Sequence, residues 1–413
     1  MHYAWVVLGV MFFSALFAMG VRSAPGVIIL PLQQEFGWSV STISGAIGLN
    51  IILLGVLAPF IAGFMQSVGL RRTVMSCLSL LTAAMALSIF MTEPWQLYLT
   101  WGLMVGIGAS AGSIGLATAI ANRWFTSHRG MIVGIMSSAT ATGQIIFLPL
   151  FGWMAEYYGW QYVAFTLATG LALVVCLLGV FLAESPARLG IPPLGATRVA
   201  EPVTAQGNNP FHATFLGLKR GVKSLDFWLL AISFGICGFS TNGLISTHLI
   251  PYCGEHGISQ TVAATTLASL GVFSMIGAIL SGWLTDRYNP RVILFVVYSL
   301  RGLSLLILPF TDFSAVSLLI FAAFYGLDWI ATGPPTYALT NQIFGDRDAP
   351  IIISWIYTAH QAGSASAAIM GGVLRDVTDT YMYAFMLSGL ACLLVSLLVL
   401  RIRKPMPVLA SVA

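Results

Sequence analysis

Of the 413 residues, 58% are hydrophobic and only 8% are charged, whereas soluble domains run near a quarter charged; a water-facing surface cannot be built from so few charges, so the solvent is lipid. The apolar runs are continuous, which excludes a strand barrel, whose segments alternate with period two. The net charge of +4 comes without a basic cluster, which excludes nucleic-acid binding, and the five cysteines (Cys77, Cys176, Cys237, Cys253, Cys392) form no CxxC pair, which excludes a disulfide framework or a zinc site.

A helix crossing the bilayer takes about 20 residues. The chain is therefore expected to hold twelve spans, at 4–32, 40–65, 73–91, 95–121, 130–151, 162–183, 226–250, 262–284, 292–311, 314–339, 350–372 and 382–402. They are called segments 1 to 12 below. Segment 1 lacks a basic leader and is too long for the apolar region of a cleaved signal, so it reads as a span. Glycines recur within the segments, as close helix packing in lipid requires. The interval 184–225 carries Pro186, Pro192, Pro193, Pro202 and Pro210 and reads as a flexible linker.

Under this segmentation Arg71, Arg72, Arg123, Arg129, Arg188, Arg198, Lys219, Arg220, Lys223, Arg287, Arg291, Arg347, Arg401, Arg403 and Lys404 fall on one side. The other side holds Arg375 with Glu35, Glu93, Glu156, Glu255, Asp312, Asp376 and Asp379. The positive-inside rule then places both termini and the linker in the cytoplasm. The chain also repeats. GFMQSVGLRR at 63–72 matches GWLTDRYNPR at 282–291, Asn122 and Phe125 match Asn341 and Phe344, and Gly152 through Glu156 matches Gly372 through Asp376. The expected architecture is an all-α membrane protein of twelve transmembrane helices in two pseudo-symmetric six-helix bundles, 1–183 and 226–413. Parallel repeats of this kind enclose a site between them and rock around it.

These motifs resemble the major facilitator superfamily along the whole chain. GWLTDRYNPR looks like its loop motif, which implies a gate role for Asp286, Arg287 and Arg291, with Arg71 and Arg72 as the counterparts in the first copy. Gln66 and Ser67 depart from the family's charged pair, so the first-copy latch should be weaker. PGVIILPLQQEFGWS at 25–39 and THLIPYCGEHGIS at 247–259 resemble the bacterial monocarboxylate and oxalate/formate group. Animal monocarboxylate carriers place a key arginine on segment 8, where this chain has Ser274 and Ala278. An arginine clamp for a carboxylate would then fall to Arg22 or Arg301.

Arg22, Arg301 and Asp328 are charges inside predicted spans, costly unless paired or hydrated. Helical rise puts Arg301 about 14 Å and Asp328 about 21 Å from opposite ends of neighbouring spans, at similar depth. They read as a buried ion pair or as a proton-coupling pair. Arg22 reads as an anion clamp, a partner of Asp328 across a cavity, or an interfacial residue; its planar fork matches a carboxylate. Thr241 and His248 share a face of segment 7, with Asn242 and Ser246 on a neighbouring edge. Tyr325, Asp328 and Thr332 align on segment 10, and Tyr357, His360 and Ser364 on segment 11, where Gln361 adds an amide. Such stripes suit a hydrated cavity, although each histidine reads equally as an interhelical hydrogen-bonding group. Asn50 and Gln144 are the first-half candidates. Tryptophans near segment ends read as interface anchors, and Arg123, His128 and Arg129 as loop residues.

The resulting expectation is a secondary transporter of a small organic anion, a monocarboxylate, with Arg22 as clamp and proton symport through Asp328 or a histidine. No GxxxxGK[ST] loop for ATP occurs. A proton-antiport exporter of drugs and a non-transporting sensor are the rival readings. No cofactor, catalytic or nucleic-acid partner is expected, and a monomer in a bacterial inner membrane is.

Overall fold

The computed structural model describes residues 2–110, 120–121, 123–126, 129–196, 215 and 218–403. In chain order the helices are α1 Tyr3–Ser23, α2 Pro25–Phe36, α3 Val40–Ser67, α4 Leu70–Ser88, α5 Pro94–Leu97, α6 Val105–Ala109, α7 Arg129–Tyr157 and α8 Trp160–Phe181. After the polar interval come α9 Leu225–Gly238, α10 Ser246–Glu255, α11 Gln260–Thr285, α12 Pro290–Ile307, α13 Ala315–Trp329, α14 Gly333–Thr378 and α15 Met382–Val399. Among the described residues no strand forms; a lone parallel bridge joins Phe125 to Leu194.

Ten stretches of the described residues are long and apolar enough to cross a bilayer. Segment 4 runs into residues 111–119, outside the described set, as do Asn122, His128, Arg198 and Lys404. Segment 11 is long enough, but His360, Gln361 and its serines and glycines lower its hydropathy. Large apolar side chains such as Phe13, Leu173, Val180, Ile279 and Phe324 point outward, as a lipid solvent allows.

Four segments expected to be regular are broken. Segment 1 runs to Phe36 but splits at Ala24, because Pro25 has no N–H to continue the ladder. Segment 4 winds as a π-helix over Tyr98–Met104, and segment 7 does so over Phe239–Ile245 between α9 and α10. Segment 10 stops at Trp329 and restarts at Gly333, ahead of Pro334 and Pro335. π-turns and proline breaks inside helices often mark functional sites. Smaller corrections are the extension of segment 5 to Tyr157 and the entry of α14 into segment 11 through Gly345, whose φ of 73° only glycine adopts readily.

The interval after α8 is docked rather than free at its start. Pro186–Leu189 form a 3₁₀ turn. Leu194 N–H donates to the Trp124 carbonyl at 2.9 Å, and Thr126 N–H to the Leu194 carbonyl at 3.0 Å.

Helices from the two ends of the sequence pack together closely. α3 lies along the second part of α14, α7 along α11, and α2 against α10. Small residues permit this: a Cβ at Gly26 would stand 2.4 Å from the Ser246 carbonyl, and one at Gly55 would stand 2.4 Å from the Gln361 Cβ.

Candidate functional site

Two of the broken segments, 1 and 7, meet with α3 and α14 around a cavity of about 50 Å³, room for a few waters. Met19, Arg22 and Pro25 line it from α1 and α2, and Ile47, Asn50, Ile51 and Leu54 from α3. Asn242, Ser246 and Thr247 line it from segment 7, and Gln361 from α14. Asn50 lies about 15 Å from the start of α3 by helical rise, near mid-depth. Five residues singled out in the sequence thus converge here: Arg22, Asn50, Asn242, Ser246 and Gln361.

Arg22 is half-buried, and among the described residues it has no hydrogen-bond or ion-pair partner. It occupies the last turn of α1, where a helix's carbonyl ends favour a cation. That eases the cost of placing the charge there but leaves its five donors free. Arg22 and Asp328 do not pair in this structure; the partner of Asp328 is Arg301. Asn50 donates to the Trp101 carbonyl of the π-turn at 2.9 Å. Gln361 Oε1 accepts from His360 Nδ1 at 2.9 Å; the amide oxygen cannot donate, so the Gln361 NH₂ remains for the cavity.

A second buried group stands behind this wall. Arg301 Nε donates to Asp328 Oδ2 at 2.7 Å, and its Nη2 to the Asp328 carbonyl at 2.7 Å. Its Nη1 reaches the Cys237 thiol at 3.0 Å and Ser240 Oγ at 3.4 Å. The guanidinium is fully buried between the rings of Tyr298 and Tyr325. Asp328 Oδ1 has no hydrogen-bond partner among the described residues. Cys237 also contacts Thr332 at 3.1 Å and the ring of His360. A polar path therefore runs from the cavity through Gln361, His360, Cys237 and Arg301 to Asp328.

Three candidates lie elsewhere. Gln144 sits at the contact of α7 with α11, beside Gly271. His248 is fully buried, bonded to the Ala368 carbonyl at 2.8 Å and packed on Tyr381. Tyr325 bonds the Ser240 carbonyl at 2.9 Å. Sequence reasoning missed Thr247 and Cys237. Cys237 lies one turn before Thr241, on the face already marked as polar, but its apolar setting hid it.

At the arginine-rich end, Asp286 caps α11 and Arg287 covers the Trp283 ring at 4.3 Å. Arg291 donates to the carbonyls of Leu400 and Ile402 at 3.0 and 2.8 Å, tying α12 to the end of α15. Arg72 is exposed, while Arg71 bonds the Gly179 carbonyl. In the first copy Glu184, which the sequence did not flag, holds the loop. It accepts from the N–H groups of Leu70 and Arg71 at 2.7 and 2.9 Å and from Arg123 at 2.6 Å. Burial alone would raise its carboxyl, but the Arg71 and Leu70 N–H groups and Arg123 outweigh it and hold it below the ordinary range. The stability it contributes is thus present above the unfolded carboxylate value of about 4.3 and is lost as pH falls through the lower folded value. Glu184→Gln should cost about 1 kcal/mol at pH 7, by analogy with a lost helix cap, and should blunt the acid sensitivity. Thermal unfolding at pH 7 and pH 4 checks this; equal acid losses in both proteins would refute it.

A many-times-crossing helical protein with a small cavity of mixed polar and apolar lining between helices from both parts of its sequence has the build of a solute carrier. The chain belongs to the Major Facilitator Superfamily, whose family model matches residues 11–336, and it is a membrane transporter of that superfamily. It is 24% identical over 397 residues to the "Uncharacterized MFS-type transporter YcxA" of Bacillus subtilis (strain 168), covering 92% of this chain and 90% of that one. It is 24% identical over 389 residues to Monocarboxylate transporter 13 of Rattus norvegicus, covering 94% and 86%. A crystal structure of a D-xylose-proton symporter superposes with a TM-score of 0.73 at 14% identity, over 98% of this chain and 99% of that one, and shares the fold.

Proposed function

We propose that the protein is a secondary active transporter that carries a small monocarboxylate together with a proton. The observation that carries this reading is Arg22, a cation without a partner among the described residues, in a cavity otherwise lined by amides, hydroxyls and five apolar side chains. A carboxylate fits both halves of that description: it takes two parallel bonds from the guanidinium, and the amides and hydroxyls can accommodate its remaining atoms. The relatives named monocarboxylate transporters, in Rattus norvegicus and Danio rerio, support the same class. The cavity is small, which argues against an exporter of amphipathic drugs, whose sites run to about 300 Å³ or more.

In this reading residues 1–183 and 226–413 form two six-helix units that rock about the cavity, joined by the interval 184–225. The arginine-rich end faces the cytoplasm with both termini, and the protein acts as a monomer in a bacterial inner membrane. Asp328 takes up the coupled proton at its Oδ1, which has no partner among the described residues, and the path through His360 and Gln361 links that event to the cavity.

The test is uptake in vesicles holding the purified protein. Labelled lactate or pyruvate should accumulate under an inward proton gradient and stop accumulating when the gradient is collapsed. If no carboxylate in a broad panel accumulates while a drug is expelled in an Asp328-dependent way, the exporter reading replaces this one.

A further inference from the structure

Of the seven carboxylates at the end of the molecule opposite the arginines, four are bonded to the start of another helix. Glu35, at the end of α2, accepts from Trp160 Nε1 at 2.7 Å and Gln161 Nε2 at 2.9 Å, at the start of α8. Glu255, at the end of α10, accepts from Thr380 Oγ1 and Tyr381 N–H at 3.3 Å each, ahead of α15, and pairs with Arg375. Glu156, at the end of α7, accepts from Thr261 N–H at 2.9 Å and Thr261 Oγ1 at 2.7 Å, in the first turn of α11. Asp376, at the end of α14, accepts from Val40 N–H at 3.1 Å and Ser41 N–H at 2.7 Å, in the first turn of α3.

The four form two kinds of contact. Glu35 and Glu255 tie helices on the same side of the 184–225 interval. Glu156 and Asp376 tie helices on opposite sides. The second pair obeys the sequence repeat: each carboxylate follows a glycine by four residues, Gly152 and Gly372, and each receiving helix starts at a capping serine, Ser259 or Ser39. The glycines bring the helices close. A Cβ at Gly152 would stand 2.7 Å from the Ala264 Cβ, and one at Gly372 would stand 2.7 Å from the Ser44 Cβ. A carboxylate at a helix N-terminus satisfies free N–H groups and the positive end of the dipole together.

We propose that Glu156 and Asp376 are paired gate residues that hold this end of the transporter shut, while Glu35 and Glu255 are clips within each moving unit that stay closed throughout the cycle. Opening this face breaks both cross-unit caps at once and leaves the first-turn N–H groups of α3 and α11 with water alone as partner. The proposal rests on the reading of two rocking units, but not on the identity of the solute.

The experiment places a cysteine at Ser246, on the cavity wall, in a background with Cys176→Ser, and follows its alkylation by a membrane-impermeant maleimide added from the Glu156 face. Spin labels at Trp38 and Thr378 report the opening distance. Glu156→Gln with Asp376→Asn should raise the alkylation rate about tenfold and lengthen the distance, and each single variant should give about threefold, as the loss of one or two helix caps implies. Glu35→Gln with Glu255→Gln should leave both readouts at the parent value. If the double variant does not fold, the two singles against Glu35→Gln carry the test. An unchanged rate in the Glu156 and Asp376 variants, or an equal rise in the Glu35 and Glu255 control, would overturn the assignment. Neither readout uses a transported solute, so a failed carboxylate uptake assay and a failed gate assay remain distinct results.

Discussion

Arg22→Ala is expected to abolish proton-driven carboxylate uptake while leaving the protein folded. Removing one partner of a desolvated, hydrogen-bonded charge pair costs about 2–5 kcal/mol. At 1.4 kcal/mol per tenfold, that is roughly 30- to 4,000-fold in affinity for the carboxylate. Folding should be spared, because among the described residues Arg22 has no partner to leave stranded. Its removal deletes a partly buried cation and relieves a desolvation cost. Arg22→Lys keeps the charge but loses the planar fork, so it should transport with a weakened apparent affinity and an intact maximal rate. Uptake kinetics of the two variants separate these roles. If Arg22→Ala binds and transports carboxylates like the parent, the clamp assignment fails. If it unfolds instead, the residue is structural.

Composition and periodicity carried the architecture further than the site. Lipid as solvent, the helical class and most span positions follow from long apolar runs, because the bilayer imposes one length and one backbone solution. The breaks were harder to read. Pro25 and the Pro334–Pro335 pair were visible as residues, but whether a proline kinks or ends a helix depends on what packs against the freed carbonyls. The π-turns at Tyr98–Met104 and Phe239–Ile245 have no comparable local mark. Arg22 stood out because a charge in an apolar run has few tolerable settings. His248 and Tyr325 stood out for the same reason, yet they satisfy backbone carbonyls away from the cavity. A polar residue in a span announces that it needs a partner, but the sequence does not say whether that partner is solute or backbone. Glu184 and Cys237 escaped notice because their partners lie across the fold: the start of α4 for one, and Arg301 and His360 for the other.

The Arg301–Asp328 pair should show the largest stability effect in the molecule. The guanidinium is fully buried, and the carboxylate nearly so. Arg301→Leu leaves Asp328 without its counter-charge, and Asp328→Leu strands the guanidinium; each should cost about 3–5 kcal/mol. The double variant Arg301→Leu/Asp328→Leu should recover most of that loss, because it strands neither charge and similar replacements of buried pairs are often neutral. Thermal unfolding in detergent gives this cycle directly. The same double variant separates the two roles the pair can play. If Asp328 carries the coupled proton, the recovered protein should exchange labelled carboxylate across the membrane without accumulating it against a gradient, because nothing remains to link a proton to the cavity. If it accumulates carboxylate as the parent does, the pair serves only to fix α12 to α13, and the coupled proton must be carried elsewhere. His360 is then the next group to test, since it joins the cavity amide of Gln361 to the Cys237 thiol. His360→Gln should in that case uncouple flux while the Arg301–Asp328 variants do not.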